Sequence, residues 1–357
     1  MTTELFSDRI LAWFDQHGRH NLPWQHDITP YRVWLSETML QQTQVTTVIP
    51  YFQKFAEQFP SITDLANAHE DEVLHLWTGL GYYSRARNLH KAAQIVRDNF
   101  NGEFPTQFND IIGLPGIGRS TAGAISAIAL NQRYAILDGN VKRVLTRVHT
   151  IEGWPGSPTT MKQLWKIAEN YTPTERVADY TQAMMDLGAT LCKRGKPECE
   201  CCPVITMCQA HAQNRQREFP HSKPKKQIPE RHTTMLILQK SEHEVLLIKR
   251  PPTGIWGGLW SFIEADDKTL AQVCQHYGCD MLDTAELPSF RHTFSHFHLD
   301  ITPIVVSVRH QNHVVAEADT AIWYNLAKPN NVGLAAPVKK LLETLHEHTH
   351  DSLHEVK

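Results

Sequence analysis

Residues 108–130 read FNDIIGLPGIGRSTAGAISAIAL, and the turn LPGIG (114–118) separates two apolar segments of this stretch. Proline and glycine end the first segment, and the residues after the turn have the length and composition of a helix. The stretch therefore predicts two helices joined by a tight hairpin. Gly116 and Gly118 leave backbone N–H groups accessible, and the following helix N-terminus adds partial positive charge, so a phosphate group could bind there. An ordinary helical hairpin without a ligand would show the same pattern.

Helical patterns continue on both sides of this hairpin. Thr29 followed by Pro30 is typical of a capped helix start, and residues 84–100 repeat apolar side chains at helical spacing. No long alternating pattern of the kind found in strands interrupts them. The sequence therefore predicts an all-α domain, with helices at 29–48, 65–77, 84–100, 108–112, 119–130, 138–149, 160–171 and 174–191.

The composition changes at residues 213–230, which contain three prolines, several basic residues and few aliphatic ones, as is typical of a linker. Extended patterns follow at 235–239, 244–250, 296–308 and 321–326, and helical patterns at 267–277 and 335–348. This mixture predicts a small α+β domain. We therefore expect a helical domain at 1–212, a linker at 213–230 and an α+β domain at 231–357.

The composition excludes several classes of protein. The chain has 357 residues, of which 41% are hydrophobic and 20% charged, so it can form two globular cores. No apolar segment approaches the roughly 20 residues of a membrane helix, and the N-terminus does not resemble a secretory signal. We expect a cytoplasmic monomer. The net charge of −3 means that any nucleic-acid binding must depend on a local basic patch.

The cysteines predict a metal centre. Five of the seven lie in one short segment, at positions 192, 199, 201, 202 and 208. Such a cluster in a chain without a secretory signal favours metal ligation over disulfides, and four thiolates could bind either zinc or a [4Fe–4S] cluster. Adjacent side chains rarely reach one metal together, so we expect Cys192, Cys199, Cys202 and Cys208 to bind and Cys201 not to. Basic residues in this loop form a local patch, although a purely structural role is an alternative.

Two carboxylates are candidates for acid–base chemistry. Asp138 stands at a helix start, where first-turn N–H groups should lower its pKa and keep it ionised. Glu37 stands among apolar residues of its helix, which could raise its pKa and let it donate a proton. An acid and an anion are the groups that glycosidic cleavage requires. A plain N-cap aspartate and a solvated glutamate are the alternatives.

Taken together, the motifs resemble the MutY family of A/G-specific adenine DNA glycosylases over nearly the whole chain. The hairpin alone is similar to the helix-hairpin-helix of DNA repair glycosylases, and the cysteine spacing is similar to the iron–sulfur loop of endonuclease III relatives. The strings that carry the resemblance are LPWQ (22–25), WLSETMLQQTQV (34–45), LWTGLGYYSRARNL (76–89), LPGIGRSTAGAI (114–125), LDGNVKRV (137–144), GIWGG (254–258) and FSHFHL (294–299). The resemblance implies an all-α helix-hairpin-helix glycosylase domain with one [4Fe–4S] cluster, followed by an α+β Nudix-like domain.

The resemblance also implies a reaction and its residues. Glu37 would protonate adenine at N7, and Asp138, with Asn140 nearby, would stabilise the sugar cation. Gln41, Gln42 and Tyr82 would probe or wedge the duplex beside the extruded base, as base-flipping enzymes do. Further implied residues are Trp24 and Gln182 in the adenine pocket, Leu114, Gly116, Gly118, Ser120 and Lys142 on DNA, and Phe294, Ser295 and His296 at the opposite base.

One position separates this chain from bifunctional relatives. Endonuclease III-type enzymes carry in the hairpin a lysine that attacks the sugar, and Ser120 replaces it here. Serine cannot form a Schiff base, so we expect a monofunctional glycosylase that activates water, with at most adventitious reaction of Lys142. The substrate would be duplex DNA with adenine opposite 8-oxoguanine or guanine, in a bacterial nucleoid, and the linker could contact another repair or replication protein.

The second domain resembles a Nudix fold that has lost its metal-binding acids. Residues 258–264 match the opening of the Nudix signature, but residues 270–278 read LAQVCQHYG, without a carboxylate. Because Mg²⁺ needs oxygen ligands, we expect a base-reading domain without pyrophosphatase activity. A thymine-glycol-type glycosylase/lyase, a Nudix hydrolase fused to a DNA-binding domain, and a non-enzymatic mismatch binder are the alternatives.

Overall fold

The computed structural model describes residues 3–224, 227–265, 269–310 and 320–354. The chain divides into two compact units, each described separately below. One unit comprises Met1–Asn67 and Asn88–Lys225, and the other comprises Ala68–Arg87 and Lys226–Lys357. Among the described residues, no helix has the length and apolar character needed to cross a bilayer.

The first unit is helical, which confirms the predicted all-α class. Short 3₁₀ helices at Pro23–Gln25, Cys199–Cys201 and Ile205–Met207 accompany its α-helices. The α-helices within it or extending into it are α1 (Thr3–His17), α2 (Pro30–Leu40), α3 (Val45–Gln58), α4 (Ile62–Asn67), α6 (Ser84–Asn99), α7 (Phe108–Gly113), α8 (Arg119–Leu130), α9 (Gly139–His149), α10 (Pro158–Tyr171), α11 (Val177–Thr190) and α12 (Gln209–Ala212).

The predicted helix at 29–48 is in fact two helices. Thr29 caps α2 as expected, and its side chain accepts a hydrogen bond from the N–H of Arg32. The helix ends at Leu40, and Gln42 takes a left-handed conformation with φ of 58° before α3 begins. Neither glycine nor proline marks this break, which is why the sequence pattern did not show it. The structure also adds α1, which was not predicted.

The core of the helical unit brings distant parts of the chain together. Helix α11 packs on α8 and α9, and α2 packs on α8. Two glycines permit close approach. A Cβ on Gly123 would lie 2.4 Å from the carbonyl oxygen of Ala135, and one on Gly188 would lie 2.5 Å from Cβ of Asn140. The segment that leads into α9 is therefore held tightly between α8 and α11.

The second unit contains one mixed sheet, in agreement with the predicted α+β class. Its strand order is β3-β2-β1-β7-β5, with β4 paired to β1, β6 to β7 and β8 to β2. The long central strands β1 and β7 run parallel, and the other pairs are antiparallel. The strands are β1 (Glu230–Ser241), β2 (Glu244–Lys249), β3 (Trp260–Ser261), β4 (Ile263–Glu264), β5 (Cys279–Glu286), β6 (Phe290–Thr293), β7 (His298–His310) and β8 (Ala321–Asn325).

The four predicted strands are β1, β2, β7 and β8, and the shorter or more exposed β3–β6 were not predicted. The helices of this unit are α13 (Leu270–His276), α14 (Ala336–His354) and α5 (Glu70–Leu76). Residues 267 and 268 of the predicted helix 267–277 lie outside the described residues. The predicted helix at 65–77 is divided into α4 and α5, because His69 caps α5 by accepting the N–H of Asp71.

The grouping of Ala68–Arg87 with the sheet is a feature that the sequence did not predict. Asp71 on α5 pairs with Lys249 on β2 at 2.9 Å and accepts the indole N–H of Trp260 on β3 at 3.3 Å. Tyr83 donates its hydroxyl hydrogen to the carbonyl oxygen of Leu334 at 2.8 Å. These bonds give the segment direct polar contacts with the sheet and with the chain beside it.

Candidate active site

Asp138 is the N-cap of α9. Its Oδ1 accepts the backbone N–H of Val141 at 2.8 Å, and its Oδ2 accepts the side-chain amide of Asn140 at 3.1 Å. These bonds fix both carboxyl oxygens at the positive end of the helix, where an anion is stabilised.

The predicted direction of the Asp138 pKa is wrong. Burial raises the pKa of this carboxyl, and hydrogen bonds at Val141 and Asn140 together with the charge of Arg143 only partly offset the increase. The sequence shows the cap, but it does not show how fully protein atoms enclose the group. Asp138 is therefore a costly anion to bury, although it is well supplied with hydrogen bonds.

Glu37 lies on α2, close enough for the charge of Asp138 to affect its titration. Burial, followed by the charge of the Asp138 carboxylate, raises the pKa of Glu37 to about 8. Glu37 and Asp138 are both only partly exposed. The structure thus brings together two carboxyls separated by about a hundred positions in the chain, and Glu37, with its pKa raised to about 8, keeps a proton at neutral pH.

A short hydrogen-bond chain continues from Asp138 through Asn140. Arg143 donates to Oδ1 of Asn140 at 2.8 Å, which turns the amide N–H₂ of Asn140 toward Asp138. The same guanidinium donates to the backbone oxygens of Gly188 at 2.6 Å and Cys192 at 2.7 Å. Arg143 was not predicted from the sequence, although its position three residues after Asn140 on a helix places the two side chains on one face.

Ser120 supports the same loop from another direction. Its Oγ accepts the backbone N–H of Leu137 at 2.9 Å, and Leu137 immediately precedes Asp138. The hydroxyl thus joins the start of α8 to the segment that carries the catalytic candidate. From the sequence, Ser120 was expected to contact DNA and to exclude a Schiff base, and its support of this loop was not predicted.

Gln182 on α11 belongs to a separate polar cluster around Asp186. Its amide donates to Oδ1 of the fully buried Asp186 at 2.8 Å, so the amide oxygen is the end turned away from that carboxylate. Arg19 binds Asp186 through its backbone N–H at 2.7 Å and its guanidinium at 2.5 and 2.9 Å. Arg19 and Asp186 were missed, although the spacing of Gln182 and Asp186 by one helical turn was visible. Trp24 is buried with its ring edge against Phe52, at 5.5 Å between centroids.

The hairpin residues differ in what they expose. Gly116 and Gly118 are exposed, and Gly116 has φ of 81°, a conformation that favours glycine. The side chain of Leu114 is buried in the core, so only its backbone could face DNA. Lys142 on α9 is half-buried; burial lowers its pKa and Asp138 opposes the decrease.

The remaining predicted DNA contacts lie on turns. Gln41 and Gln42 form the break between α2 and α3, with Gln42 exposed. In the second unit Tyr82 has φ of 50° and is 48% exposed, so its ring is presented to solvent. Ser295 and His296 are also exposed, whereas Phe294 is half-buried and stacks on Phe297 at 4.4 Å between centroids.

The cysteine loop gathers four thiols around a buried arginine. The side chains of Cys192, Cys199, Cys202 and Cys208 interact electrostatically with one another, whereas Cys201 is exposed. Arg147 is buried and donates to Sγ of Cys192 at 3.3 Å. In the part of the chain that the structure describes, no carboxylate forms a salt bridge with Arg147, and its guanidinium donates to Sγ of Cys192 and to backbone carbonyl oxygens instead.

Four thiol side chains are donors of the kind that zinc and iron–sulfur clusters take. Within the described residues, no three His, Cys, Asp or Glu side chains converge as ligands of a single metal ion. The carbonyl groups of Lys193 and Phe219 accept hydrogen bonds from Arg147 at 2.8 and 2.9 Å, which joins the start of the loop and the segment after α12 to α9.

Comparison with known proteins identifies two families in one chain. Residues 35–170 match the HhH-GPD superfamily of base excision DNA repair proteins, and residues 234–344 match a NUDIX domain. The helical part is similar to the structure of a thermostable thymine-DNA glycosylase, with 26% identity and a TM-score of 0.54 over 59% of this chain and 97% of that one. The fold and the site therefore define a DNA N-glycosylase of base excision repair.

Whole-chain comparison is more specific. The adenine DNA glycosylase of Buchnera aphidicola from Acyrthosiphon pisum is 43% identical over 344 residues, covering 96% of this chain and 98% of its own. The human adenine DNA glycosylase is 32% identical and covers 94% of this chain and 73% of its own. The chain belongs to the adenine DNA glycosylase family, which confirms the resemblance found in the sequence.

Proposed function

We propose that this glycosylase removes adenine paired with 8-oxoguanine or guanine in duplex DNA and leaves an abasic site. The pairing of Glu37 with Asp138 is the observation that carries the proposal. Adenine is an undamaged base and a poor leaving group as an anion. An enzyme that releases it therefore needs an acid that is still protonated at neutral pH and an anion for the sugar cation.

The residues divide the chemistry between them. Glu37, with a pKa of about 8, donates its proton to N7 of the extruded adenine, and the electrons of the glycosidic bond pass to the base. The Asp138 carboxylate, oriented by Asn140, stabilises the oxocarbenium-like sugar until water adds to it. The proton that this water releases passes to the Glu37 carboxylate, which restores the acid. Once Glu37 is protonated it is neutral, so it no longer opposes the negative charge on Asp138.

The hairpin favours base release without strand cleavage. Ser120 has no amine that could attack the sugar, and its hydroxyl accepts the N–H of Leu137. Lys142 follows Asp138 by one helical turn and is the amine for adventitious reaction with the abasic product. Backbone groups of Gly116 and Gly118 would bind phosphate oxygens and hold the strand in position.

The opposite base is assigned to the second unit. Residues 294–296 form an exposed turn at which Ser295 and His296 can contact a base edge. The acid that opens the Nudix signature, Glu264, pairs with Arg250 at 2.6 Å, and α13 carries no carboxylate. We therefore assign no pyrophosphatase activity to this unit and propose that it distinguishes 8-oxoguanine from guanine.

Cys192, Cys199, Cys202 and Cys208 would hold one [4Fe–4S] cluster. The bound cluster would connect the two halves of this loop and supply negative charge beside Arg147; no catalytic step is assigned to it. Given the bacterial relatives, we place the protein in the cytoplasm at the nucleoid, as a monomer. A contact between residues 213–230 and another repair or replication protein stays a prediction.

The test uses duplexes with adenine opposite 8-oxoguanine, guanine or thymine. We expect adenine release from the first two, seen as strand cleavage only after alkali treatment. Glu37→Gln should lose base release by at least a factor of about 10³ while retaining duplex binding, and Glu57→Gln, an exposed glutamate on α3, should remain active. Normal turnover by Glu37→Gln, or equal release opposite thymine, would contradict the proposal.

A further inference from the structure

Tyr82 is presented by a strained turn, residues 78–83, which we call the probe turn. Gly79, Gly81 and Tyr82 have φ values of 101°, 76° and 50°. The guanidinium of Arg85 lies over the rings of Trp77 and Tyr82, at 5.4 and 5.5 Å from their centroids. A tyrosine in a left-handed conformation is costly, so neighbouring contacts must hold the ring outward.

Those contacts come from residues 332–334, which we call the strap. The Tyr83 hydroxyl donates to the carbonyl oxygen of Leu334 at 2.8 Å, and the Leu334 N–H donates to Oγ1 of Thr78 at 3.4 Å. His75 contacts the carbonyl oxygen of Val332 through Nδ1 at 3.2 Å. The strap therefore meets the probe turn at both of its ends.

The strap is also attached to the sheet. The N–H of Trp260 on β3 donates to the carbonyl oxygen of Gly333 at 2.9 Å, and Trp260 forms a parallel bridge with Leu334. A Cβ on Gly333 would lie 2.6 Å from Cβ of Leu74, so the strap lies directly on α5. Sheet, strap and probe turn form one continuous packed assembly.

A second connection runs from the probe turn to residues 294–296, which we call the reading turn. Arg87 donates to the carbonyl oxygen of Gly257. The adjacent Trp256 packs on Phe294, with 5.4 Å between ring centroids, and Phe294 begins the reading turn. Helix α6 starts directly after Tyr83 and carries Arg87 one turn later, so Gly257 and Trp256 connect the two turns.

We propose that Tyr83 and Arg87 are positioning residues that hold the probe turn and the reading turn in one unit. The base opposite adenine, bound at the reading turn, would then determine how firmly Tyr82 engages the duplex. The identity of the opposite base would thus reach Tyr82 from the reading turn through residues of the second unit alone. This inference rests on the proposed function, because it assigns Tyr82 to the duplex and residues 294–296 to the opposite base.

The size of the effect follows from the bonds involved. Tyr83→Phe keeps the ring and removes only the hydroxyl that joins Gly79 and Leu334. Of these two bonds the one to Leu334 is the more buried, and losing one such hydrogen bond changes an equilibrium roughly three- to tenfold. We expect the ratio of release rates on the two duplexes to fall by that factor. The duplex with guanine lacks the lesion that the reading turn would bind, so its rate depends less on the connection between the two turns.

The experiment measures single-turnover adenine release by the full chain from duplexes with 8-oxoguanine or guanine opposite adenine. Tyr83→Phe should lower the ratio of the two rates roughly three- to tenfold, and Arg87→Met should act in the same direction. In a Tyr82→Leu background, Tyr83→Phe should change nothing further. A fluorescent base analogue beside the lesion should report weaker unstacking in Tyr83→Phe. Tyr134→Phe, in the first unit, is the control.

The outcomes separate the two proposals. A wild type that releases adenine from neither duplex overturns the proposed function and this inference with it. If the wild type distinguishes the two duplexes but Tyr83→Phe and Arg87→Met, both folded, keep the wild-type ratio of rates, only the inference is overturned. Equal rate losses on both duplexes, or effects of Tyr82→Leu and Tyr83→Phe that simply add, would show that Tyr83 supports the fold without transmitting selectivity.

Discussion

Replacing Glu37 by glutamine should make the protein more stable while it removes catalysis. With a pKa of about 8 in the folded protein against 4.5 for the ordinary side chain, Glu37 keeps a proton that the unfolded chain releases at neutral pH. The folded state therefore binds more protons than the unfolded state, and the wild-type free energy of unfolding falls as pH rises from about 4.5 to about 8. Glutamine fills the same volume without this cost.

The magnitude follows from the pKa difference at about 1.4 kcal/mol for each unit. Glu37→Gln should gain about 1 kcal/mol over the wild type at pH 5 and about 3 kcal/mol at pH 7. The gain should therefore grow as the pH rises.

The assay is chemical denaturation of both proteins at pH 5, 6, 7 and 8, with unfolding monitored by circular dichroism. Glu57→Gln provides the control, because this exposed residue on α3 should alter stability by no more than a few tenths of a kcal/mol at any pH. A Glu37→Gln variant that is less stable than the wild type at pH 7 would refute the reasoning. So would a difference that does not depend on pH, because the burial of an ionisable carboxyl could not then be its cause.

Three further predictions concern the supporting structure. Ser120→Ala should slow single-turnover adenine release roughly three- to tenfold with duplex binding unchanged. Ser120→Thr keeps the hydroxyl and should stay near the wild-type rate. Equal rates for the two variants would contradict the role given to the hydrogen bond between Ser120 and Leu137. Gly116→Ala should lose about 1–2 kcal/mol of stability and bind duplex more weakly, because φ is 81° and the new Cβ would lie 2.8 Å from Cβ of Asn88; Gly113→Ala, with open space around it, is the control. Arg147→Met should at least halve the iron content and visible absorbance of the purified protein and lower its Tm, unlike Arg217→Met at an exposed position; full iron content in Arg147→Met would contradict its pairing with the thiols.

The sequence predicted the elements of the fold well where local signals are strong. The helices α6, α8 and α9 begin and end close to the predicted positions, because capping residues, glycines and apolar spacing mark them. The break after Leu40 could not be predicted, since Gln42 adopts its left-handed conformation without a local signal. The short strands β3 and β4 owe their pairing to strands far along the chain rather than to their own composition.

The candidate site shows the same limit. Glu37 and Asp138 were identified as residue types in a pattern, but the direction of the Asp138 pKa depends on burial by distant elements and was predicted wrongly. Arg19 and Asp186 are separated by 167 positions, so only folding reveals their contact. The grouping of Ala68–Arg87 with the sheet likewise depends on bonds to Lys249, Trp260 and Leu334, which no local pattern encodes.

The central claim is that Glu37 is a protonated acid beside an ionised Asp138, and the pH dependence of adenine release tests it most directly. Single-turnover rates should be measured from pH 5 to 10 on a duplex with 8-oxoguanine opposite adenine, with enzyme in excess so that product release does not contribute. The rate should fall above about pH 8 as Glu37 loses its proton, with an apparent pKa that belongs to the coupled pair. A rate that stays constant or rises between pH 8 and 9.5 would contradict the account.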